Sequence, residues 1–282
     1  MKFHFYEMYN KFLTKERNTI LPMLPGVFKA VKKNGEIYYR SSITYKNKHI
    51  SLGSYSLESE ANQAYQTAGE ILCGSHTIED YEALLTLPFD KWVILINVRD
   101  NGIYFKNPIY LKKRYFIYYI NKKILLKFDI DDLFYYAHHK IMKRGGHLFV
   151  SDYGMQVTIL SRYGIKNYAV AGRDYRFANG DSTDYRYGNV EIINRYHGVS
   201  KSIQKGIPVY TAKIHINGDY IIGRYSTEIE AAVAYNKAAR LIQEKGIAKK
   251  FPENYINEID EIEYARIYHG IRVSKKLRNY TI

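Results

Sequence analysis

Residues 53–68 read GSYSLESEANQAYQTA, and residues 223–238 read GRYSTEIEAAVAYNKA. Aligned at an offset of 170 without a gap, nine of the sixteen positions are identical: Gly53/Gly223, Tyr55/Tyr225, Ser56/Ser226, Glu58/Glu228, Glu60/Glu230, Ala61/Ala231, Ala64/Ala234, Tyr65/Tyr235 and Ala68/Ala238. Self-similarity at a fixed distance marks a repeated supersecondary unit. The rest of the chain is therefore read outward from a pair of like modules.

In the first copy Ala61, Ala64, Tyr65, Ala68, Ile71 and Leu72 fall at the i, i+3, i+4, i+7 spacing of one helix face. The same phases in the second copy hold Ala231, Ala234, Tyr235, Ala238, Leu241 and Ile242. Ser56 stands at the expected N-cap with Glu58 and Glu60 in the first turn, where acidic groups meet the positive end of the helix. Gly74 is the expected stop. The small alanines let such a helix lie close on a sheet. Upstream, residues 26–30, 38–44 and 48–52 alternate as short strands, parted by turn chemistry at Lys33-Asn34-Gly35 and Lys46-Asn47. Residues 198–200, 209–214 and 220–223 repeat the pattern, with Asn217-Gly218 as the second turn. Each copy reads as three strands followed by one packing helix.

At 282 residues the chain has room for two or three small domains. A hydrophobic fraction of 46% gives it a core and argues against long disorder. The single cysteine, Cys73, excludes a disulfide framework and a cysteine-based zinc site. The absence of a run of 18 apolar residues and of a leader pattern predicts a soluble, cytoplasmic protein with no membrane partner. Lys and Arg number 42 against 28 Asp and Glu, a net charge of +14. That balance favours a polyanionic partner, since each neutralised phosphate releases a counterion. Of the 30 tyrosines, most are assigned to packing rather than to ligand contact.

Both modules resemble the Apetala-two/ethylene-response-factor DNA-binding domain. The likeness rests on the leading Gly26-Val27 and Gly198-Val199, the strand Ala212-Lys213-Ile214, and the pattern G-x-[FY]-x-[ST]-x-x-x-A-A-x-A-Y-x-x-A. It covers roughly a hundred residues; Tyr210 replaces the family's usual tryptophan, and Asn62 replaces its second alanine. The resemblance implies a three-stranded sheet lying in the major groove of duplex DNA, with basic and aromatic side chains of its outer face on bases and phosphates. Carried over by position, the DNA-binding candidates are Lys29, Lys32, Tyr39, Arg40, Lys46 and Lys48 in the first module, and Lys201, Lys205, Tyr210, Lys213 and Arg224 in the second.

Between the modules, residues 78–87 read as a helix, and 92–98 as a buried strand with Trp92 in the core. Residues 115–119 and 124–128 read as strands and 130–136 as a helical turn. Lys143-Arg144-Gly145-Gly146 reads as a basic turn, and 148–151 with 156–161 as paired strands. Residues 179–194, NGDSTDYRYGNVEIIN, resemble the second half of an HNH-type nuclease motif through Gly180, Asp181, Asp184, Arg186, Asn189 and Val190. An HNH unit followed at once by an Apetala-two module is similar to the arrangement of phage and intron-borne homing endonucleases. The chemistry of that family needs a divalent metal and a histidine general base. Its Asp-His pair is Arg176-Phe177 here, and its upstream histidine is Ser161. Arginine repels a metal and phenylalanine takes no proton, so the resemblance implies a fold retained and a reaction lost. The competing reading is an active nuclease binding Mg²⁺ or another divalent metal through His138, His139, His147 and Asp174, with Asp152 nearby.

After the second module, residues 252–264 read as an acidic helix and 272–278 as a flexible basic arm for phosphates; Tyr268-His269-Gly270-Ile271 echoes Tyr196-His197-Gly198-Val199. At the other end Phe3, Phe5, Met8, Tyr9 and Phe12 suggest a short helix. The fold expected is α+β: a first DNA-binding module with an N-terminal extension (1–75), a linker or subdomain (76–109), a degenerate ββα, HNH-like domain (110–197), a second module (198–250), and a C-terminal helix with a basic tail (251–282). The function expected is binding of specific double-stranded DNA as a repressor or other regulator, without a cofactor; a homodimer is compatible with it.

Overall fold

The computed structural model of the protein describes residues 23–281. The helix expected around Phe3–Phe12 lies outside the described residues. The described chain is a mixed α+β protein with several small antiparallel sheets. Among the described residues no helix is long and apolar enough to cross a membrane. The chain divides into two compact units, the first reaching Leu111 and including Asn121–Lys123, the second holding Lys112–Ile120 and the chain from Ile124 onward.

In the first unit β1 (Val27–Val31), β2 (Ile37–Tyr45) and β3 (Lys48–Tyr55) form an antiparallel sheet in that order, and α1 (Glu58–Cys73) crosses one face of it. Val27, Ile50 and Leu52 are buried on that face, and Ala61, Ala64 and Ala68 meet them without any exposed surface of their own. Leu57, not Ser56, is the N-cap residue, and it has no side chain with which to cap. The first turn is held instead by Glu60, whose Oε2 accepts the Leu57 amide at 3.2 Å.

Residues 92–98 form no strand. They lie within α2 (Phe89–Asn101), which packs on α1, and all seven are buried. A helix buried all round shows no period, so its sequence reads like that of a buried strand. Pro88 starts α2 and Gly102, in the left-handed region at φ 73°, ends it. Trp92 is core, its indole N–H donating to the Thr77 carbonyl at 2.9 Å. The helix expected over 78–87 is absent as well: Ile78 and Leu87 are buried while Leu84 is 97% exposed, and the segment runs as turns. From α2, Arg99 donates to the carbonyls of Ile71 and Gly74 and so caps the end of α1. The unit closes with β4 (Ile109–Leu111).

The second unit opens with the hairpin β5 (Tyr115–Tyr119) and β6 (Leu125–Asp129). A 3-10 turn, Ile130–Asp132, leads into the short α3 (Leu133–His138), as the sequence suggests. A meander follows, β7 (Met142–Arg144), β8 (His147–Asp152) and β9 (Met155–Thr158); residues 159–161, expected to extend the last strand, lie in a 3-10 turn begun by Thr158. The core here is aromatic. Phe128 stacks on Phe116 and Tyr185 with ring centroids 5.5 and 5.6 Å apart, and Tyr136 lies 4.3 Å from it. Tyr118, Tyr136, Tyr175 and Tyr185 are buried, so the abundance of tyrosine in this region is a property of packing.

A two-stranded hairpin, β10 (Tyr175–Phe177) and β11 (Val190–Ile192), carries the loop that resembles the HNH motif. The expected ββα unit is not completed. The chain passes from Ile192 into β12 (Val199–Gln204) through residues 193–198, too few for a helix with its connections, and Gly198 at φ 73° bars helical backbone. With β13 (Ile207–His215) and β14 (Asp219–Tyr225), β12 makes the second three-stranded sheet, covered on one face by α4 (Glu228–Glu244).

Two C-terminal expectations are corrected. The acidic helix is α5 (Glu261–Gly270), starting where the Asp260 carboxylate accepts the Glu263 amide at 2.8 Å. Residues 252–258 are not helical, and the 268–271 echo falls at the end of α5. Nor is the basic tail a free arm. Ile271, Val273 and Leu277 are buried in the core that α4 and its sheet form, with α6 (Lys275–Arg278) carrying Leu277 inward and its cations outward. Lys237 of α4 fastens this segment by donating to the carbonyls of Tyr268 and Ile271 at 2.6 and 2.8 Å. Between α4 and α5 the chain is held by amides. Asn236 donates to the Asn254 carbonyl and accepts its amide, at 2.8 and 2.9 Å; Asn254 in turn donates to the His197 carbonyl and accepts its amide, at 3.0 and 2.8 Å.

The identities of the repeat now have physical reasons. Gly26 and Gly198, both near φ 74°, lie against the rings of Tyr65 and Tyr235, and a Cβ there would collide with the ring. Gly53 and Gly223 leave space for the hydroxyl ends of Tyr55 and Tyr225 in the same way. Glu58 accepts the Leu24 amide and Glu228 the Arg195 amide, each at 2.8 Å, so both copies pin the incoming chain to the start of the helix. Glu60 and Glu230 accept the N-cap amides Leu57 and Thr227, both at 3.2 Å. Asn62, the odd residue of copy one, holds the Pro25 carbonyl at 3.0 Å. The shared residues are those that fix the fold.

Candidate nucleic-acid interface

Residues paired across an antiparallel sheet share a face, and successive residues alternate. Val27 opposes Ser41 and both are buried under α1, so the neighbouring pair Phe28–Arg40, and Ser54 beyond it on β3, face away from the helix. A bulge between Ser41 and Ser42 shifts the register, after which Ser42 opposes Ser51 and Thr44 opposes His49 on that outer face. In the second sheet Val199 and Ala212 are buried, and the outer row is Ser200, Thr211 and Arg224; beyond its own bulge, Lys213 opposes Ile221 and His215 opposes Asp219.

This register sorts the sequence candidates into three groups. Arg40, Lys213 and Arg224 lie on the outer faces. Lys32, Lys46 and Lys205 lie at the hairpin turns; Lys32 pairs with Glu36 at 2.9 Å, and Lys46 and Lys205 adopt positive φ. Lys29, Tyr39 and Lys48, with Lys201 and Tyr210, fall on the helix-side parity instead. Tyr210 packs against the α4 core with the Lys201 ammonium 5.9 Å above its ring, and Lys29 opposes Tyr39 as Lys201 opposes Tyr210. The expectation that these five share the outer face is therefore corrected, because a basic or aromatic residue does not disclose its parity. The outer faces hold residues the sequence reading passed over. Phe28 is 58% exposed beside Arg40, and Asp219 holds Lys213 at 3.0 Å and His215 at 2.8 Å. Counting alternation outward from the buried Val27 and Val199 would have found them.

The loop that resembles the HNH motif is a closed hydrogen-bond network. Asp184 is fully buried; its carboxylate takes a two-pronged pair from Arg186 at 2.8 and 2.6 Å and a bond from Asn179 at 3.0 Å. Those Arg186 bonds, against the opposing effect of burial, hold its pKa below the ordinary carboxylate value. Asp181 accepts from the Thr183 hydroxyl at 2.7 Å and pairs with Lys127 at 2.9 Å, which brings its pKa down to about 2. Asn189 accepts the Asn179 amide and donates to the Asp184 carbonyl, both at 2.8 Å. The loop is tied to β6 by Lys127, whose backbone N–H donates to the Thr183 carbonyl at 3.0 Å and whose carbonyl accepts the Tyr185 amide at 2.8 Å, on either side of Asp184.

Where a metal and base would be expected, Arg176 is exposed and bonds Glu191 across the hairpin at 2.7 Å, and Phe177 packs edge-on against Tyr175 and Tyr185. Ser161 donates to the Thr158 carbonyl at 2.6 Å. Arg162 pairs with the buried Asp132 and lies over the Tyr135 ring. The alternative ligands do not form one group. His138 Nδ1 lies against the Phe134 carbonyl, and His139 stacks on Tyr135 with Asp152 3.5 Å away. His147 is exposed at the start of β8. Asp174 accepts from Arg173, the Val170 amide and Asn194; burial works to raise its pKa, and these bonds outweigh it. Among the described residues no group of three His, Cys, Asp or Glu side chains is arranged to hold a metal.

Comparison with protein-family models, with curated proteins and with solved structures found no significant match to this chain.

Proposed function

We propose that this chain is a sequence-specific double-stranded DNA-binding protein, related to the HNH homing endonucleases with Apetala-two modules and acting as a repressor or other regulator. The observation that carries the reading is the same in both copies. A three-stranded antiparallel sheet is covered by its helix on one face and presents guanidinium or ammonium groups on the other, Arg40 in one and Lys213 with Arg224 in the other. A twisted sheet of this width fits the major groove, and arginine reads guanine through two parallel bonds. Lys32, Lys46 and Lys205 at the hairpin turns serve as phosphate contacts that position the faces without reading sequence. The net charge of +14 supplies the long-range attraction. Tethering two such faces in one chain turns two weak contacts into a tighter one.

Loss of the nuclease reaction is part of the same reading. It is supported by the absence of a proton acceptor at Arg176-Phe177 and by the engagement of Asp184 and Asn189 in holding their own loop.

Arg40→Ala is expected to weaken binding to the cognate duplex by roughly ten- to a hundredfold, the worth of one two-pronged base contact. Titration of labelled duplex at two salt concentrations checks it. Unchanged affinity at both would remove Arg40, and with it the outer face of the first sheet, from the interface.

A further inference from the structure

We infer that the two sheets read unlike sequences, so the DNA this chain recognises is an asymmetric site of two different segments rather than a repeated one. The inference rests on the duplex-DNA reading above and concerns what that reading leaves open.

Duplication alone would suggest a repeated site, and the helix and its glycine contacts are repeated faithfully. The outer faces are not. In the first sheet the row across the strands is Phe28, Arg40, Ser54; in the second it is Ser200, Thr211, Arg224. The guanidinium has moved from the central strand to an edge strand. Neighbouring strands lie about 4.8 Å apart, more than the roughly 3.4 Å rise of one base pair. In the same docking pose the two arginines therefore meet different base edges.

The remaining positions differ in kind as well. The next row is Ser42 with Ser51 in one sheet and Lys213 with Ile221 in the other, and the last is Thr44 with His49 against His215 with Asp219. The second face thus carries a carboxylate linked to Lys213 and His215, a donor–acceptor cluster the first lacks. The first carries an exposed phenylalanine beside its arginine, chemistry suited to a guanine next to a thymine methyl; the second has serine there. These side chains are outside the packing that fixes each module, so their divergence does not threaten the fold.

The test is selection of the full chain on a pool of randomised duplex, with sequencing of the bound fraction. The expected result is an enriched site of two segments unlike each other. The row-exchanged variant Arg40→Thr/Ser54→Arg should change preference by about tenfold or more in one segment only. The reciprocal variant Thr211→Arg/Arg224→Ser should change the other. Two copies of one segment, direct or inverted, would overturn the inference and leave the DNA reading standing; a single enriched segment would do the same. No enrichment over the input pool would overturn the DNA reading itself, and the inference with it.

Discussion

Asp184→Ala is expected to lower the free energy of unfolding by about 3 kcal/mol, the low end of what breaking a buried charge pair costs, since Arg186 can turn to solvent once released. The carboxylate is fully buried and serves Arg186 twice and Asn179 once, so its removal breaks the bonds that hold the loop to itself. The effect should depend on pH. Asp181 and Asp184 both have folded pKa values below their unfolded ones. Such groups contribute stability that is complete above the unfolded value, about 3.9, and lost as pH falls through the folded one. For Asp181 the window runs from there down to about 2. Urea midpoints measured from neutral to acidic pH check both statements. The wild type should weaken across the window, and the variant should start lower and fall less. An unchanged midpoint at neutral pH would mean the network does not hold the loop.

Leu277→Ala is expected to cost about 3 kcal/mol, within the range for emptying a closed core position. Leu277 has no exposed surface and sits in one cluster with Ala231, Ala234 and Ile242. A flexible phosphate-binding arm would lose nothing by the change, so a thermal melt decides between the two pictures. A melting temperature equal to that of the wild type would restore the free arm. A large drop, with DNA affinity falling only where the protein unfolds, would establish that the second module extends to the end of α6.

Much of the two sheet-and-helix copies was legible in the sequence, because amphipathic period and turn residues are local signals. The helix α1 begins within two residues of its expected cap, and all six candidate strands of the two copies exist. What was not legible depends on partners distant in the chain. Residues 92–98 read as a strand and fold as a helix because a segment buried on every side has no period to read. The tail read as an arm because its lysines and arginines hide the spacing of Ile271, Val273 and Leu277, whose burial is decided by α4. Parity on the sheets escaped because it is fixed by which residues the helices bury, Val27 and Ser41 in one sheet and Val199 and Ala212 in the other, and a basic or aromatic residue two positions away carries no sign of it. Arg40, Lys213 and Arg224 lie on the outer faces, and Lys29, Tyr39, Lys48, Lys201 and Tyr210 on the helix-side parity.

The amide ladder from α4 through Asn254 to His197 has a consequence in time. An asparagine side chain sets an N–H donor beside a carbonyl acceptor with the geometry of a peptide group. Here two of them stand in for strands, each satisfying the N–H and C=O of one backbone residue. The backbone of Asn254 is protected only while α4 holds Asn236 in place, and that of His197 only while Asn254 is held. The two amides should therefore exchange with solvent deuterium at matched rates, set by one opening event rather than two local ones. Asn236→Leu should speed exchange at both amides, although His197 makes no hydrogen bond to residue 236; acceleration at Asn254 alone would show the ladder to be two separate rungs. The junction between the middle hairpin and the second sheet is on this view tied to α4, and opens with it rather than by itself.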